Sequence, residues 1–306
     1  MRLAPHPFTL RQLQYAIAVA EALSFRRAAE RCHVSQPSLS AQIAQLESVL
    51  EVRLFERSRR RVLVTAAGRV LLERARRLLV EADDLLAAGQ RAGDPLAGTM
   101  RFGIIPTLAP YLLPAVAPVL RAKFRRLTLA WREDKTDVLV EALDGGALDA
   151  ALVALEAEVG DVEREVVAHD RFVLAFPRGH SLARRAAPAE ASELRGAEVL
   201  LLDEGHCFRD QALEVCSAAQ AREGEFRATS LATLVQLVAG GAGITMLPAV
   251  AVATEAGRAR LRVRALASSK AHRTIALVWR RSSPLGPALR EVAQVLREAF
   301  PKPRLS

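Results

Sequence analysis

The chain has no hydrophobic run long enough to cross a bilayer. Its uninterrupted apolar stretches, such as Tyr15–Ala20 and Ala150–Leu155, fall far short of the ~20 residues that a spanning helix needs. Nor do the first residues read as a leader: Met1–Thr9 carries Arg2 but no apolar core and no small-residue cleavage pattern. A cytoplasmic protein without a membrane segment is therefore expected. Cysteine is scarce too. Three in 306 residues do not make the disulfide framework of a small secreted domain, and in a reducing compartment a disulfide among them would be transient or regulatory. The paired close spacing of common zinc motifs is missing, so neither a metal nor another cofactor is expected.

What the chain does have is size and a lopsided charge. Its 306 residues allow two or three domains, each with a core of its own. Of the net charge of +9, residues 1–80 supply +8, from 14 arginines against six glutamates. Positive charge gathered at one end is the footprint of a module that sits on phosphates, with a nearly neutral module behind it. An arginine-rich chain can show the same excess by chance, so local patterning has to decide.

Thr9-Leu10-Arg11-Gln12 fits a capping box, and Leu10, Leu13, Ile17, Ala20 and Leu23 follow at helical spacing. Ser24 caps a short second helix that opens with Phe25 and the Ala28-Ala29 pair and stops around Cys32-His33. After a tight turn, Ser35 caps a third helix running to about Leu50, with Pro37 tolerated in its first turn and Leu39, Ile43 and Leu46 facing inward. Two helices joined by so short a turn form a helix-turn-helix whose second member enters the major groove of DNA. That helix offers Ser35, Gln36, Pro37, Ser38, Ser40 and Gln42 to the groove, where short polar side chains bond base edges or phosphates. Beyond it, Arg57, Arg59, Arg60 and Arg61 lie at the tip of a hairpin closed by Val62-Leu63-Val64, a wing for the phosphate backbone or a narrow minor groove. A solvated turn is the alternative for these arginines.

The stretch from Ala28-Ala29-Glu30-Arg31 through Ser35-Gln36-Pro37-Ser38-Leu39-Ser40 to Gln42-Ile43, with Leu46-Glu47, Leu54-Phe55-Glu56-Arg57 and Thr65-Ala66-Ala67-Gly68, strongly resembles the LysR-type transcriptional regulators. The resemblance implies an α/β protein with an N-terminal winged helix-turn-helix, a long linker helix and a two-lobed α/β periplasmic-binding-protein-like regulatory domain. The sequence agrees: from a Thr65 cap it forms helix to about Ala88, with Val70, Leu71, Leu78, Leu79, Leu85 and Leu86 recurring as a stripe suited to pairing with a second copy. Gly89–Gly98 then breaks the helix as a hinge. Strands at Thr99–Ile104, Leu127–Arg132 and Ala150–Ala154 alternate with helices at Leu112–Lys123 and Thr136–Gly145, which predicts a mostly parallel sheet. A second series follows over Arg171–Ala265, and the chain returns through Thr274–Trp279 and a helix at Leu285–Phe300. The expected domains are 1–65, 66–92 and 93–306, with lobe I over 99–168 and 270–306 and lobe II over 169–269. The strand pattern alone leaves a free-standing binding protein open.

The segment Asp203-Glu204-Gly205-His206-Cys207-Phe208-Arg209-Asp210, followed by Cys216, resembles the OxyR-like, peroxide-sensing branch of that family, as do Gly103–Pro114, Phe226–Leu231 and Gly243–Pro248. By this resemblance Thr107 holds hydrogen peroxide for attack by Cys207, Cys216 resolves the sulfenic acid to a disulfide, and the protein is a promoter-DNA-binding activator that engages RNA polymerase as a homodimer or homotetramer. The residues support a reactive thiol, since His206, Arg209 and a helix start at Cys207 would each favour the thiolate. Asp210 belongs to the segment that must bend, because nine residues of helix span about 13.5 Å and a disulfide tolerates ~4.4–6.8 Å between Cα atoms. Cys32, ending a packed helix, reads as a small buried hydrophobe. Alternatives stay open. Cys207 and Cys216 could be inert core, His206 with them could bind a metal, and His206 could merely cap or pack. The interlobe cleft could hold a small ligand through Thr107, Thr136, Thr229 and Ser230. A thiol peroxidase is a further reading, though nothing explains why such an enzyme would carry a DNA-binding head. If the disulfide is the switch, Cys216→Ser abolishes the peroxide-dependent change in the promoter footprint; a full change in that variant would sink the idea.

Overall fold

Each N-terminal helix starts where a hydroxyl satisfies an orphan amide. In a computed structural model, which describes residues 6–57, 62–90, 94, 96–185, 187–268 and 271–301, the Thr9 hydroxyl accepts from Gln12 N (3.2 Å) and Gln12 Oε1 accepts from Thr9 N (2.9 Å). This capping box opens α1 (Leu10–Ala22). Ser24 opens α2 (Phe25–Arg31) and Ser35 opens α3 (Gln36–Leu50) with the hydroxyl bond alone, accepting from Arg27 N and Ser38 N. The row that α1 buries is Leu13, Ala16, Val19 and Ala22, whereas Leu10 and Leu23, expected on the inner stripe, are about half exposed. Small residues decide this. Ala16 and Ala28 let the helices approach closely, and a leucine row would hold them apart.

Leu39, Ile43 and Leu46 of α3 are fully buried, joined by Leu54, Phe55 and, edge to face at 5.9 Å, Phe25. A short antiparallel ribbon follows, β1 (Phe55–Arg57) with β2 (Val62–Val64), pairing Phe55 with Val64 and Arg57 with Val62. Thr65 caps α4 (Ala66–Gln90), accepting from Gly68 N at 2.8 Å. The helix runs unbroken through Gly89, so the expected hinge does not begin there, and Gly98 already starts the next strand. Its first half is no free rod: Leu72 and Ala75 are buried in the winged-helix core, with Leu71 and Leu79 packed against it. Val70, Leu78, Leu85 and Leu86 stay exposed. By its contacts the chain divides into two compact units, Met1–Gln90 and Arg91–Ser306, and α4 belongs to the first.

The second unit runs β3 (Gly98–Ile104), α5 (Ala109–Lys123), β4 (Leu127–Glu133), α6 (Thr136–Asp144), β5 (Ala150–Ala154) and β6 (Val162–Phe176). It continues β7 (Glu198–Leu202), α7 (Cys207–Ala218), β8 (Arg222–Ala228), α8 (Leu231–Ala239), β9 (Ile244–Pro248) and α9 (Ala249–Arg258). Last come β10 (Arg262–Ala265), β11 (His272–Arg280) and α10 (Gly286–Ala299). Helix α5 starts before the expected Leu112 because Pro110 sits in its first turn, where no amide is needed. The strand order is β4-β3-β5-β11-β6-β9-β7-β8, with β10 also on β6.

The sheet is mixed, which corrects the expectation of a mostly parallel one. Strand β3 is parallel to β4 and β5, and β7 is parallel to β8 and β9, but β6 and β11 run antiparallel to their neighbours and cross between the lobes. Residues 162–171 of β6 pair with β11 in lobe I, and 172–175 pair with β9 in lobe II. One 15-residue strand therefore serves both lobes. Its charged first half alternates in burial while its last five residues are wholly buried, and such a change of pattern hides one strand as two. The winged-helix core yields a direct test. Ile43→Ala should cost about 2–5 kcal/mol, lowering the first urea midpoint followed by circular dichroism and weakening DNA binding together; an unshifted midpoint would contradict this core.

Candidate functional site

The first candidate surface is the outer face of α3. Opposite Leu39, Ile43 and Leu46 lie the exposed Pro37, Ala41, Ala44, Gln45 and Ser48. Of the residues expected to meet DNA, Ser35, Gln36, Pro37 and Ser38 are exposed, whereas Ser40 and Gln42 are half-buried on the flanks. Ser35 also has a structural duty, its hydroxyl accepting from Ser38 N (3.3 Å). Gln45 escaped the sequence reading; it sits nine residues into the helix and accepts from Gln12 Nε2 at 3.1 Å. Arg57 stands in β1, while its side chain and Arg59, Arg60 and Arg61 lie outside the described residues.

The second site is a thiol at the start of α7. Gly205, with φ +83°, turns the chain from β7 toward the helix, and Cys207 is its first residue. Beside the thiol is a cavity of about 10 Å³ lined by Pro106, Thr107, Lys135, Thr136, His206 and Cys207, among others. That is the room one water-sized molecule takes. Thr136 is 6% exposed and its buried hydroxyl makes no hydrogen bond of good geometry among the described residues, although its approach to the Cys207 sulfur favours the thiolate. A buried hydroxyl with bonding capacity to spare is a group poised for a small polar guest.

Thr107, also buried, is held by Arg273. Nη1 of Arg273 donates to the Thr107 hydroxyl oxygen (2.6 Å) and Nη2 to its carbonyl (3.1 Å). The same guanidinium donates through Nε and Nη2 to Asp170 Oδ2 (3.1 and 2.9 Å), and Asp170 Oδ1 accepts from Val250 N in the first turn of α9. Because the Thr107 oxygen accepts from a cation, its hydrogen is directed away from Arg273 and can be given to a guest. Arg273 is wholly buried. The sequence offered no means of telling it from a surface arginine, since only the crossing of β6 and β11 brings Asp170, Thr107 and Arg273 together.

The electrostatics correct the expectation of a thiol made acidic by its neighbours in sequence. Burial pushes the Cys207 pKa above the ordinary thiol value; Arg273, Thr136 and the Phe208 amide pull it back. Burial, and next the Lys135 charge, lower the His206 pKa, so that imidazole is neutral near pH 7 and supplies no cation. Arg209 points elsewhere, donating to Leu202 O (3.1 Å) and Glu223 Oε1 (2.8 Å). Only the helix start acts as expected, through the Phe208 amide. Asp210 is exposed and lines a separate cleft of about 470 Å³, shared with Glu156, Glu158, Glu214, His272 and the other side of Cys207. Thr229 and Ser230 are exposed and line neither space; Ser230 caps α8, accepting from Thr233 N at 3.2 Å. Cys216 stands nine residues along the unbroken backbone of α7, its side chain outside the described set. Cys32 is half-buried against the winged-helix core.

Residues 10–69 match the model of the bacterial regulatory helix-turn-helix protein, lysR family, and residues 93–301 match that of the LysR substrate binding domain. The chain belongs to the LysR family of transcriptional regulators, and within it to the OxyR-like branch. It is 42% identical to the hydrogen peroxide-inducible genes activator of Pectobacterium carotovorum over 290 residues, 94% of this chain and 96% of that protein. Among solved structures, a full-length OxyR from Pseudomonas aeruginosa with a cysteine-to-aspartate substitution is 34% identical, with a TM-score of 0.76 and 97% of each chain covered. A cysteine mutant of Corynebacterium glutamicum OxyR with hydrogen peroxide bound is 35% identical, with a TM-score of 0.66, covering 97% of this chain and 93% of that one.

Since burial raises the Cys207 pKa and only the thiolate is nucleophilic, alkylation of Cys207 should keep accelerating with pH beyond the range where a free thiol levels off. In Arg273→Gln the levelling should move to still higher pH. Iodoacetamide rates in a Cys32→Ser, Cys216→Ser background check both, and a plateau below the free-thiol range would contradict the burial argument.

Proposed function

We propose that this protein is a DNA-binding transcriptional activator that senses hydrogen peroxide by reversible oxidation of Cys207 and Cys216. The observation that carries the reading is the cavity of about 10 Å³ between Cys207, Thr107 and Thr136: it is too small for an organic inducer and suits a guest of a few atoms. The relatives named for peroxide-inducible genes, and the OxyR structure with peroxide bound, support the same ligand.

The chemistry follows from the residues around the thiol. The Cys207 thiolate attacks one peroxide oxygen, forming an S–O bond and breaking the O–O bond. The leaving oxygen departs as hydroxide, assisted by a hydrogen bond from Thr107, and takes a proton to become water. The Cys216 sulfur then attacks the sulfenic sulfur, forming the S–S bond while the S–O bond breaks and a second water leaves. Two thiols and one peroxide thus become one disulfide and two waters. Arg273 lowers the Cys207 pKa during the first step and aims the Thr107 hydroxyl through the 2.6 Å bond. Its own charge is balanced by Asp170.

The second step cannot occur on an intact α7. Nine residues of helix separate the Cα atoms by about 13.5 Å, against ~4.4–6.8 Å in a disulfide. The turns between Cys207 and Cys216 must unwind, Asp210 with them. Phe208, 2% exposed and edge to face with Phe172 at 5.1 Å, leaves its socket when they do, which couples the thiol to the packing of lobe II. The exposed leucine face of α4 then joins two copies, presenting two reading helices to a two-fold-related promoter site; a tetramer, contact with RNA polymerase and a cytoplasmic location complete the proposal. A sensor of this kind reacts once per switching event, so no peroxidase turnover is required of it.

A second reading, control by an organic ligand, has one observation in its favour, the cleft of about 470 Å³ beyond Cys207. Its rim of Glu156, Glu158, Asp210 and Glu214 would take a cationic compound. The two readings part on one experiment. Reduced protein given one equivalent of hydrogen peroxide should lose two hydrogens in mass, mapped to Cys207 and Cys216, and its footprint on its own upstream DNA should change. An unchanged mass rules the peroxide reading out.

A further inference from the structure

The loop that delivers Cys207 is fastened on two sides through one residue, Glu204. Its carboxylate pairs with Arg227 of β8 (3.0 Å), within lobe II. Its carbonyl accepts from Nζ of Lys135 (2.6 Å), which belongs to lobe I at the start of α6. The lysine is itself held: Asp134 Oδ1 accepts from Lys135 N (3.0 Å), and Asp134 pairs with Arg132 (2.9 Å), which keeps its carboxyl below the usual carboxylate range. The lysine stem lies across Gly205, where an added Cβ would come within 3.0 Å of Lys135 Cδ and Nζ. Among the described residues the Lys135 ammonium forms no ion pair, and it also lines the cavity beside Cys207.

Oxidation asks two incompatible things of this loop. For peroxide to react, Cys207 must sit against Thr107, Thr136 and Arg273. For the disulfide to form, Cys207 and Cys216 must approach by more than ~6 Å along a helix that has to unwind. A bond from lobe I to the backbone just ahead of Cys207 favours the first arrangement and opposes the second. We propose that Lys135 is a positioning residue, a latch between the lobes that holds the Cys207 loop at the peroxide cavity in the reduced protein and must release for the disulfide to form. The inference rests on the peroxide-sensing reading above.

The latch predicts opposite effects on the two steps, which a general loss of stability would not produce. Lys135→Met keeps the aliphatic stem over Gly205 and removes the donor, while Lys135→Arg restores a donor. In a Cys216→Ser background, sulfenic acid formation is followed by diketone trapping and quenched-flow mass spectrometry. With both cysteines present, the disulfide is followed in the same way. Losing one hydrogen bond to a cation should slow the first step in Lys135→Met about three- to tenfold and speed the second by a similar factor, with Lys135→Arg within about twofold of the parent in both. Both steps slowing together, or neither changing while the parent reacts, would overturn the latch. A parent that does not react with peroxide would remove the functional reading beneath it. On the unaltered protein, amide exchange over residues 203–207 should be slow when reduced and rise at least about tenfold on oxidation; an unchanged exchange rate overturns the latch even if Lys135→Met fails to fold.

Discussion

A guanidinium with no exposed surface is tolerated only when its charge is matched and its protons are used. Arg273 meets that condition with Asp170 on one side and Thr107 on the other. Asp170 spends its second oxygen on the first turn of α9, and Tyr111, four residues after Thr107, donates to the buried Glu255 of the same helix (2.9 Å). Loop, strand, strand and helix are thereby tied around one charge. Removing either member of the Arg273–Asp170 pair leaves an uncompensated charge at a cost of about 3–5 kcal/mol, and the cavity beside Cys207 loses the group that orients Thr107. Fold stability and thiol reactivity draw on the same contact.

The placement of that contact explains why the thiol is restrained. Burial makes Cys207 a poorer acid than a free cysteine, and Arg273 offsets this only in part. The cavity on the Thr107 side of it admits little more than a molecule of water's size, so only a small oxidant fits between the sulfur and that hydroxyl, while the opposite side of Cys207 borders the open cleft. Selectivity for a small neutral oxidant can arise from shape and hydrogen bonding around a thiol that is not intrinsically aggressive.

Much of this was legible in the residues. Thr9, Ser24, Ser35 and Thr65 each announced a helix start through a hydroxyl ahead of an apolar pattern, and each caps as expected. The motif around Cys207 placed the thiol at the head of α7. What was hidden depends on contacts distant in sequence. The pairing of β6 with β11 and the burial of Arg273 require two strands to cross a hundred residues apart, and no local pattern records that. His206 and Arg209 misled for the same reason: adjacency in sequence suggested cations near the sulfur, whereas burial neutralises one and Glu223 engages the other. Thr229 and Ser230 looked like ligand contacts, but an exposed serine before an apolar helix is first of all a cap.

The distance between Cys207 and Cys216 along α7 also bears on time. A ligand that binds and leaves reports only the concentration of the moment. A covalent bond closed across an unwound helix outlasts the molecule that caused it, and it persists until a reductant reaches the sulfur. The protein would then carry a memory of exposure whose duration is set by the supply of cellular thiols, and a brief pulse of oxidant could keep a promoter engaged long after the oxidant itself is gone.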